Sequence, residues 1–314
     1  TVYYTEQYLY GWLFTVDADV GGIGNNLFEL IAFVGIARLV GRNPVISKKA
    51  ADHIQRKHGH LIHLLDGILI GNYTENSKNV SFPHQCCSFT DPVPIFDRYK
   101  AYETTNIRLI YAQSFKFFQK HRRSEVRARL RMTKEMEQVA TNDMVNPKTL
   151  SEADHIICIH SRRGDFVSSH MHAHSNEDFS IPAIKFVDTR IRTRKGKKNP
   201  LFVMIGDDKP WQHKLLNQTY KFAVATSNSS YPPDLDWEFG RQYCDTVLLT
   251  ASASTFGWWL AYNSRGFDVY YNSVFSKPGG FGSSLVPEDF FPPEWIPLEY
   301  DPSTKNVGVK PPRT

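Results

Sequence analysis

Apolar and polar positions along the first forty-six residues change period twice. Tyr10 to Val16 is nearly continuously apolar and predicts a strand. A polar, glycine-rich stretch follows, Asp19-Val20-Gly21-Gly22-Ile23-Gly24-Asn25-Asn26. Leu27, Leu30, Ile31, Val34, Ala37 and Arg38 then recur at helical spacing, and Gly41 ends the run. Pro44-Val45-Ile46 reads as the next strand. The unit is strand, glycine loop, helix, strand. Its loop has two readings: a tight turn that needs positive φ, or a stretch lining a cleft with backbone amides. Residues 47–66 are polar and helical in part, and Asn72 to Ser81 reads as an exposed loop. Phe89 to Pro94 is broken by prolines, Tyr111 to Phe118 opens a helix, and Arg122 to Met136 forms a basic surface helix. Pro147 to Asp154 is a polar connector, which places the domain boundary there, with domains 1–150 and 151–314.

The second half alternates strand and helix, which predicts a parallel sheet with helices on both faces. Strands are expected at His155 to Ile159, Leu201 to Ile205, Tyr220 to Ala225, Thr246 to Leu249 and Phe267 to Tyr271. Helices are expected from Pro210-Trp211, over Asp236 to Tyr243, and over Phe256 to Tyr262. From Lys277 onward the chain is rich in Pro and Gly and is expected to wrap the surface.

With 314 residues, 41% hydrophobic and 22% charged, the chain is globular and long enough for two domains. A net charge of +5 suits an anionic ligand but argues no nucleic-acid role. The basic run Arg190 to Lys198 lacks interleaved aromatics and reads as a solvated loop. Four sequons begin at Asn72, Asn79, Asn217 and Asn228, and they point to the secretory pathway. The cysteines are Cys86, Cys87, Cys158 and Cys244. They allow three full pairings, and Cys158 within a strand also reads as a buried thiol.

The chemistry concentrates at strand ends. His160-Ser161-Arg162-Arg163-Gly164-Asp165-Phe166 follows a buried strand, and two arginines there suit a phosphate clamp, since guanidinium stays charged and offers a rigid donor fork. Gly164 allows a sharp turn, and Asp165 can hold one arginine and leave the other for a ligand. Competing readings are an ion pair closing a strand end and an Arg-Gly-Asp adhesion tripeptide. Gly206-Asp207-Asp208 and Thr250 to Thr255 fall on the same sheet edge. The latter offers hydroxyls and amides at a helix start, which favours anions. Asp207 and Asp208 suit a divalent metal or a ribose hydroxyl, or one of them caps the next helix. His170, His172 and His174 alternate as a metal site in a strand would, but their flanks read as loop. His170 is also a candidate general base.

These residues also carry a resemblance. His160 to Phe166 resembles the His-x-Arg-Arg-Gly-Asp-Tyr/Phe motif of α-1,2-fucosyltransferases, glycosyltransferase family 11. Gly22 to Phe28, Gln113 to Phe118, Gly206 to Trp211, Cys244 to Tyr262 and Phe291 to Pro297 resemble that family's other motifs in order. Departures are Asn26 for Gln, Leu27 for Met and Gly206 for Ser. The flavour, Cys86-Cys87 included, is similar to the nematode branch.

The resemblance implies a GT-B-type α/β fold, two Rossmann-like domains facing a central cleft, the first on the acceptor side and the second binding GDP-fucose. It implies inverting transfer of fucose to O2 of a terminal galactose without a required metal, and no nucleic-acid partner. It implies a type II Golgi membrane protein with a lumenal catalytic domain and an anchor ahead of Thr1. Arg162 would hold the β-phosphate, His160 would sit near the nucleoside, and Ser254, Thr255 and Phe256 would complete the site with Arg163, Asp165, Asp207 and Asp208. Two further readings are a protein O-fucosyltransferase and a non-catalytic glycan-binding or adhesion protein.

Overall fold

A computed structural model of the chain describes residues 6–72, 77–83, 86–219, 223–225 and 231–311. Contacts divide it into two α/β units. The first is Thr1–Arg131 with Ser283–Pro292, the second Met132–Gly282 with Pro293–Thr314.

The first unit is built on a five-stranded parallel sheet. Its strands are β1 (Tyr8–Leu13), β2 (Asn43–Ile46), β3 (Leu69–Ile70), β4 (Lys78–Val80) and β5 (Thr104–Leu109), in the order β3-β2-β1-β5-β4. Helix Ile23–Leu39 is buried along most of its length. Gly11 on β1 makes room for Phe33, whose ring atoms would lie 2.6 Å from a Cβ there. β1 ends three residues earlier than the apolar pattern suggests, because the Asp17 carboxylate accepts the Leu13 N–H at 2.7 Å and turns the chain into Phe14–Asp17. Gly21, at φ +75°, makes the tight turn before the helix.

The second unit carries a seven-stranded sheet. Its strands are β6 (His155–Ser161), β7 (Pro200–Gly206), β8 (Ala223–Ala225), β9 (Thr246–Leu249), β10 (Asp268–Asn272), β11 (Ile296–Asp301) and β12 (Asn306–Val309), in the order β12-β11-β10-β9-β6-β7-β8. All pairs are parallel except β11 with β12. β6 is an interior strand with every residue buried, as a parallel strand covered on both faces must be. Helix Glu177–Lys195 packs Ala183, Ile184, Val187 and Ile191 on one face of this sheet. Trp237, Trp258 and Trp259 are fully buried, each removing apolar area worth about 4–6 kcal/mol as an upper bound.

Several expectations change. The tail does not merely wrap the surface: it supplies β11 and β12 and extends the sheet. Residues 190–195 are no loop but the end of a 19-residue helix, closed by Gly196 at φ +65°. The helix expected over Arg122 to Met136 is two, Arg123–Arg129 and Lys134–Asn142, because the Thr133 hydroxyl accepts the Met136 N–H and caps a fresh start. Tyr111 to Phe118 holds only a 3-10 turn, Phe115–Phe117. The first unit ends at Arg131, whereas the expected boundary lies near residue 150. Helix Lys134–Asn142 belongs with the second unit through Arg241 to Glu137 at 2.9 Å and Thr141 to Gln242 at 2.8 Å. The connector expected at Pro147 to Asp154 is mostly helix, Pro147–Glu152. Residues 283–292 return to the first unit, where Asp289 meets Lys116 at 2.6 Å and Phe290 stacks on Phe28. Asn79 lies in β4 rather than in a loop, and Asn217 is exposed near the end of helix Lys209–Thr219. The sequon at Asn228 and residues 220–222 of an expected strand lie outside the described residues, as does part of the sequon at Asn72.

Cys86 pairs with Cys87, and Cys158 with Cys244. Cys158 is therefore no free thiol. The second bond spans 86 residues of sequence, and closing so long a loop restricts the unfolded chain strongly. Replacing Cys158 and Cys244 together by Ala is expected to lower unfolding stability by about 2–4 kcal/mol, read as a fall in the urea midpoint. An unchanged midpoint would mean the bond does not form.

Candidate active site

Three parallel strands end side by side. His160 pairs with Ile205 on one side and Leu249 on the other, and Ser161 pairs with Gly206. The loops Arg162-Arg163, Asp207-Asp208 and Thr250–Ser254 therefore leave one sheet edge together, as expected, and ligands favour that edge. Two glycines hold the strand ends close. Gly206 has φ +151°, and a Cβ on it would meet the Ser161 carbonyl oxygen at 2.0 Å. Gly164 does not make a sharp turn. It opens helix Gly164–Ser168 without a positive φ, and its lack of a side chain leaves room for Asp207, whose Oδ2 would be 2.7 Å from a Cβ.

The two arginines have separate tasks. Arg163 is a brace: its Nε donates to Asp208 Oδ2 at 2.9 Å, its Nη1 to the Ser175 carbonyl at 2.8 Å, and its guanidinium lies 4.8 Å from the Trp211 ring. Arg162 reaches a cavity of about 370 Å³ at the strand ends. Its Nη2 pairs with Asp165 at 2.8 Å and its Nη1 with Asp207 at 3.3 Å. Asp165 thus holds the cavity-facing arginine rather than the other one. With its side chain about one-third exposed, Arg162 keeps Nε–H and one hydrogen on each terminal nitrogen for a ligand. Asp207 also accepts the Arg163 N–H at 2.9 Å, and Asp208 caps the next helix by accepting the Trp211 N–H at 3.0 Å.

His160 and Phe256 form one wall, their rings 5.9 Å apart. Burial, with Arg162 nearby, pushes the His160 imidazole down to about 3, so it is neutral at ordinary pH. Its Nδ1 has no hydrogen-bond partner among the described residues and would lie 2.4 Å from a Cβ at position 257, where the chain carries Gly257. Ser254 spends its hydroxyl on capping helix Thr255–Asn263 through the Gly257 N–H. Ser254 and Thr255 are not among the cavity's lining residues, whereas Phe256 is. The far wall carries Lys209 and Asp236, which sequence reasoning missed. Burial raises the Asp236 carboxyl to about 6, while Lys209 opposes that shift. Lys209 is itself pushed down by burial. The available signal was position: Lys209 follows Asp208 at the strand end, and Asp236 lies in the first turn of helix Leu235–Tyr243.

The histidine triplet does not converge. His172 stacks on Phe166 at 4.2 Å, and His170 is exposed outside the cavity. No group of three or more His, Cys, Asp or Glu among the described residues is arranged to hold a metal. The cavity offers a guanidinium, a neutral imidazole, an aromatic face and a carboxylate beside an ammonium. That set suits a ligand with phosphate at one end and a hydrogen-bonding ring at the other.

Residues 91–299 match the model of glycosyl transferase family 11. The chain is 30% identical to a galactoside 2-alpha-L-fucosyltransferase of Caenorhabditis elegans, over 90% of this chain and 75% of that protein. It is 25% identical to the bovine galactoside 2-alpha-L-fucosyltransferase SEC1, over 91% and 74%. A solved structure of the α-1,6-fucosyltransferase NodZ soaked with GDP-fucose aligns over 97% of this chain and 99% of that one, at 11% identity and a TM-score of 0.47.

The buried imidazole gives stability a pH dependence. Between the ordinary histidine value near 6.5 and about 3, the unfolded chain binds a proton that the folded one does not, so acidification favours unfolding. His160→Gln removes that contribution. Its stability deficit relative to the parent, from urea midpoints, is expected to shrink by about 2 kcal/mol between pH 7.5 and 5. A deficit independent of pH would show that His160 titrates normally when folded.

Proposed function

The chain belongs to glycosyl transferase family 11, and from that premise we propose that it is a galactoside 2-α-L-fucosyltransferase using GDP-fucose. The observation that carries this reading is Arg162, held by two carboxylates at the strand ends and facing the cavity. In the reaction, O2 of a terminal galactose attacks C1 of fucose while the bond from C1 to the β-phosphate oxygen breaks. The bonding pair leaves with GDP, the acceptor loses its proton, and configuration at C1 inverts. Negative charge grows on the phosphate in the transition state, where a preorganised cation lowers the barrier. Asp165 and Asp207 hold the guanidinium ready, so little reorganisation is needed.

The nucleoside end fits the remaining walls. Phe256 and the neutral His160 face the cavity, and Asp236 can accept N–H groups from the edge of guanine. Such donors favour the ionised form of a carboxyl that burial otherwise holds near 6. A divalent metal is not needed in this scheme. Asp207 and Asp208 are already committed to Arg162, Arg163 and the Trp211 N–H. We further propose a Golgi-lumenal catalytic domain of a type II membrane protein. Sequons and the Cys158–Cys244 bond support a secretory route, while no helix among the described residues is long and apolar enough to cross a membrane. The second unit would then bind the donor and the first take the acceptor.

Arg162→Ala is expected to cut fucose transfer from GDP-fucose to a galactose-terminated acceptor by at least about 10²–10³-fold, with circular dichroism unchanged. Calorimetric titration should show GDP binding to the parent protein. Full activity in the variant, or no binding of GDP, would defeat the assignment. Gly164→Ala pushes on Asp207 and should lower kcat more than it raises KM, since it loosens a charge needed mainly in the transition state.

A further inference from the structure

A second, larger groove of about 650 Å³ lies on the second unit, between helix Glu177–Lys195 and the hairpin of β11 and β12. None of its lining residues lines the cavity at the strand ends. The helix contributes two ridges spaced four residues apart, running from Glu177 and Asp178 to Thr193 and Arg194. At 1.5 Å per residue that is a channel about 25 Å long. The opposite helix face is buried in the core, so the ridges lie on the helix's solvent side.

The charges along this groove are arranged unevenly. On the same helix but outside the groove, Arg192 is neutralised by Asp188 at 2.7 Å and Lys195 pairs with Asp268. In the groove, Lys185, Arg194 and Lys305 have no carboxylate within ion-pair distance among the described residues. Arg190 lies over two rings, 6.0 Å from that of Phe186 and 5.9 Å from that of Tyr270. The acidic groups stand at one end only: Glu177 is bonded to Lys214 at 2.9 Å, leaving Asp178. Four cations therefore face one free carboxylate. Between them, Phe186 and Tyr300 present half-buried aromatic faces, and Asn306 adds an amide.

We propose that this groove binds an acidic oligosaccharide, one carrying sulfate or uronate groups along its length. Several spaced cations match a linear polyanion better than a single phosphate. Shallow aromatic walls suit the apolar faces of sugar rings and give no deep pocket for an acyl chain. A peptide strand would seek backbone partners on the open edge of β12, whereas this groove is lined by side chains. Lys305 sits at φ +54° in the hairpin turn, where Asp301 accepts from Ser303 and Thr304.

The test is titration at 150 mM salt with a hexasaccharide of alternating uronate and N-sulfated glucosamine. The parent protein should bind it, and the neutral, desulfated hexasaccharide should not compete. Lys185→Gln, Arg194→Gln and Lys305→Asn together should weaken binding at least tenfold. Asparagine tolerates positive φ, so Lys305→Asn adds no strain, and GDP binding and fucose transfer to an uncharged acceptor should be unchanged. No binding by the parent, equal binding by the triple variant, or equal binding of a hexaglutamate peptide or of phosphatidylserine vesicles would each overturn the proposal.

Discussion

Asp207 ties two neighbouring strand ends to one another. One oxygen takes the backbone N–H of Arg163, just past β6, and the other the guanidinium of Arg162, while Asp207 itself follows β7. The site hangs on this carboxylate, because it fixes both the path of the chain after β6 and the direction of the side chain that reaches the cavity. Around it the backbone leaves no slack. Gly164 exists to admit Asp207, and Gly206 exists because β6 and β7 finish too near each other for a side chain. An ion pair half open to water contributes little to stability. Its value here is geometric, since it removes the rotamer freedom of a long cation before any ligand arrives.

The arrangement also separates two charges that look equivalent in the sequence. Arg162 and Arg163 are adjacent, so in an extended chain they point to opposite sides. One side meets the cavity, and the other meets Trp211 and Asp208 at the start of the following helix. A brace and a ligand-facing cation thus come from consecutive positions, and neither could be exchanged for lysine without losing the planar fork that spans two partners.

Much of this was legible in the sequence because parallel sheets report themselves strongly. The apolar run of β6, the alternation with helices, and the glycine, aspartate or hydroxyl residues at the exits place three strand ends on one edge. Three of the family motifs, at His160–Phe166, Gly206–Trp211 and Cys244–Tyr262, lie at that edge, and residues 91–299 match the family model. What escaped was set by contacts distant in sequence. β5 pairs with β1 along six residues, yet Thr104–Leu109 has no pattern of its own that distinguishes it from a loop. The β11 and β12 hairpin was hidden by prolines that an edge-side strand tolerates. The assignment of Asp165 to Arg162, and of Asp208 to Arg163, depends on where β7 ends relative to β6, which local spacing does not encode. Asp236 and Lys209 became visible only as walls of a shared cavity.

The bond between Cys158 and Cys244 has a reach beyond holding the chain together. Cys158 is on β6, two residues before His160, and Cys244 closes helix Leu235–Tyr243, which carries Asp236. Two walls of the cavity at the strand ends are therefore sewn to each other by sulfur. A chain matured where thiols stay reduced would keep that wall in place by packing alone, so the compartment's redox state writes itself into the shape of the pocket.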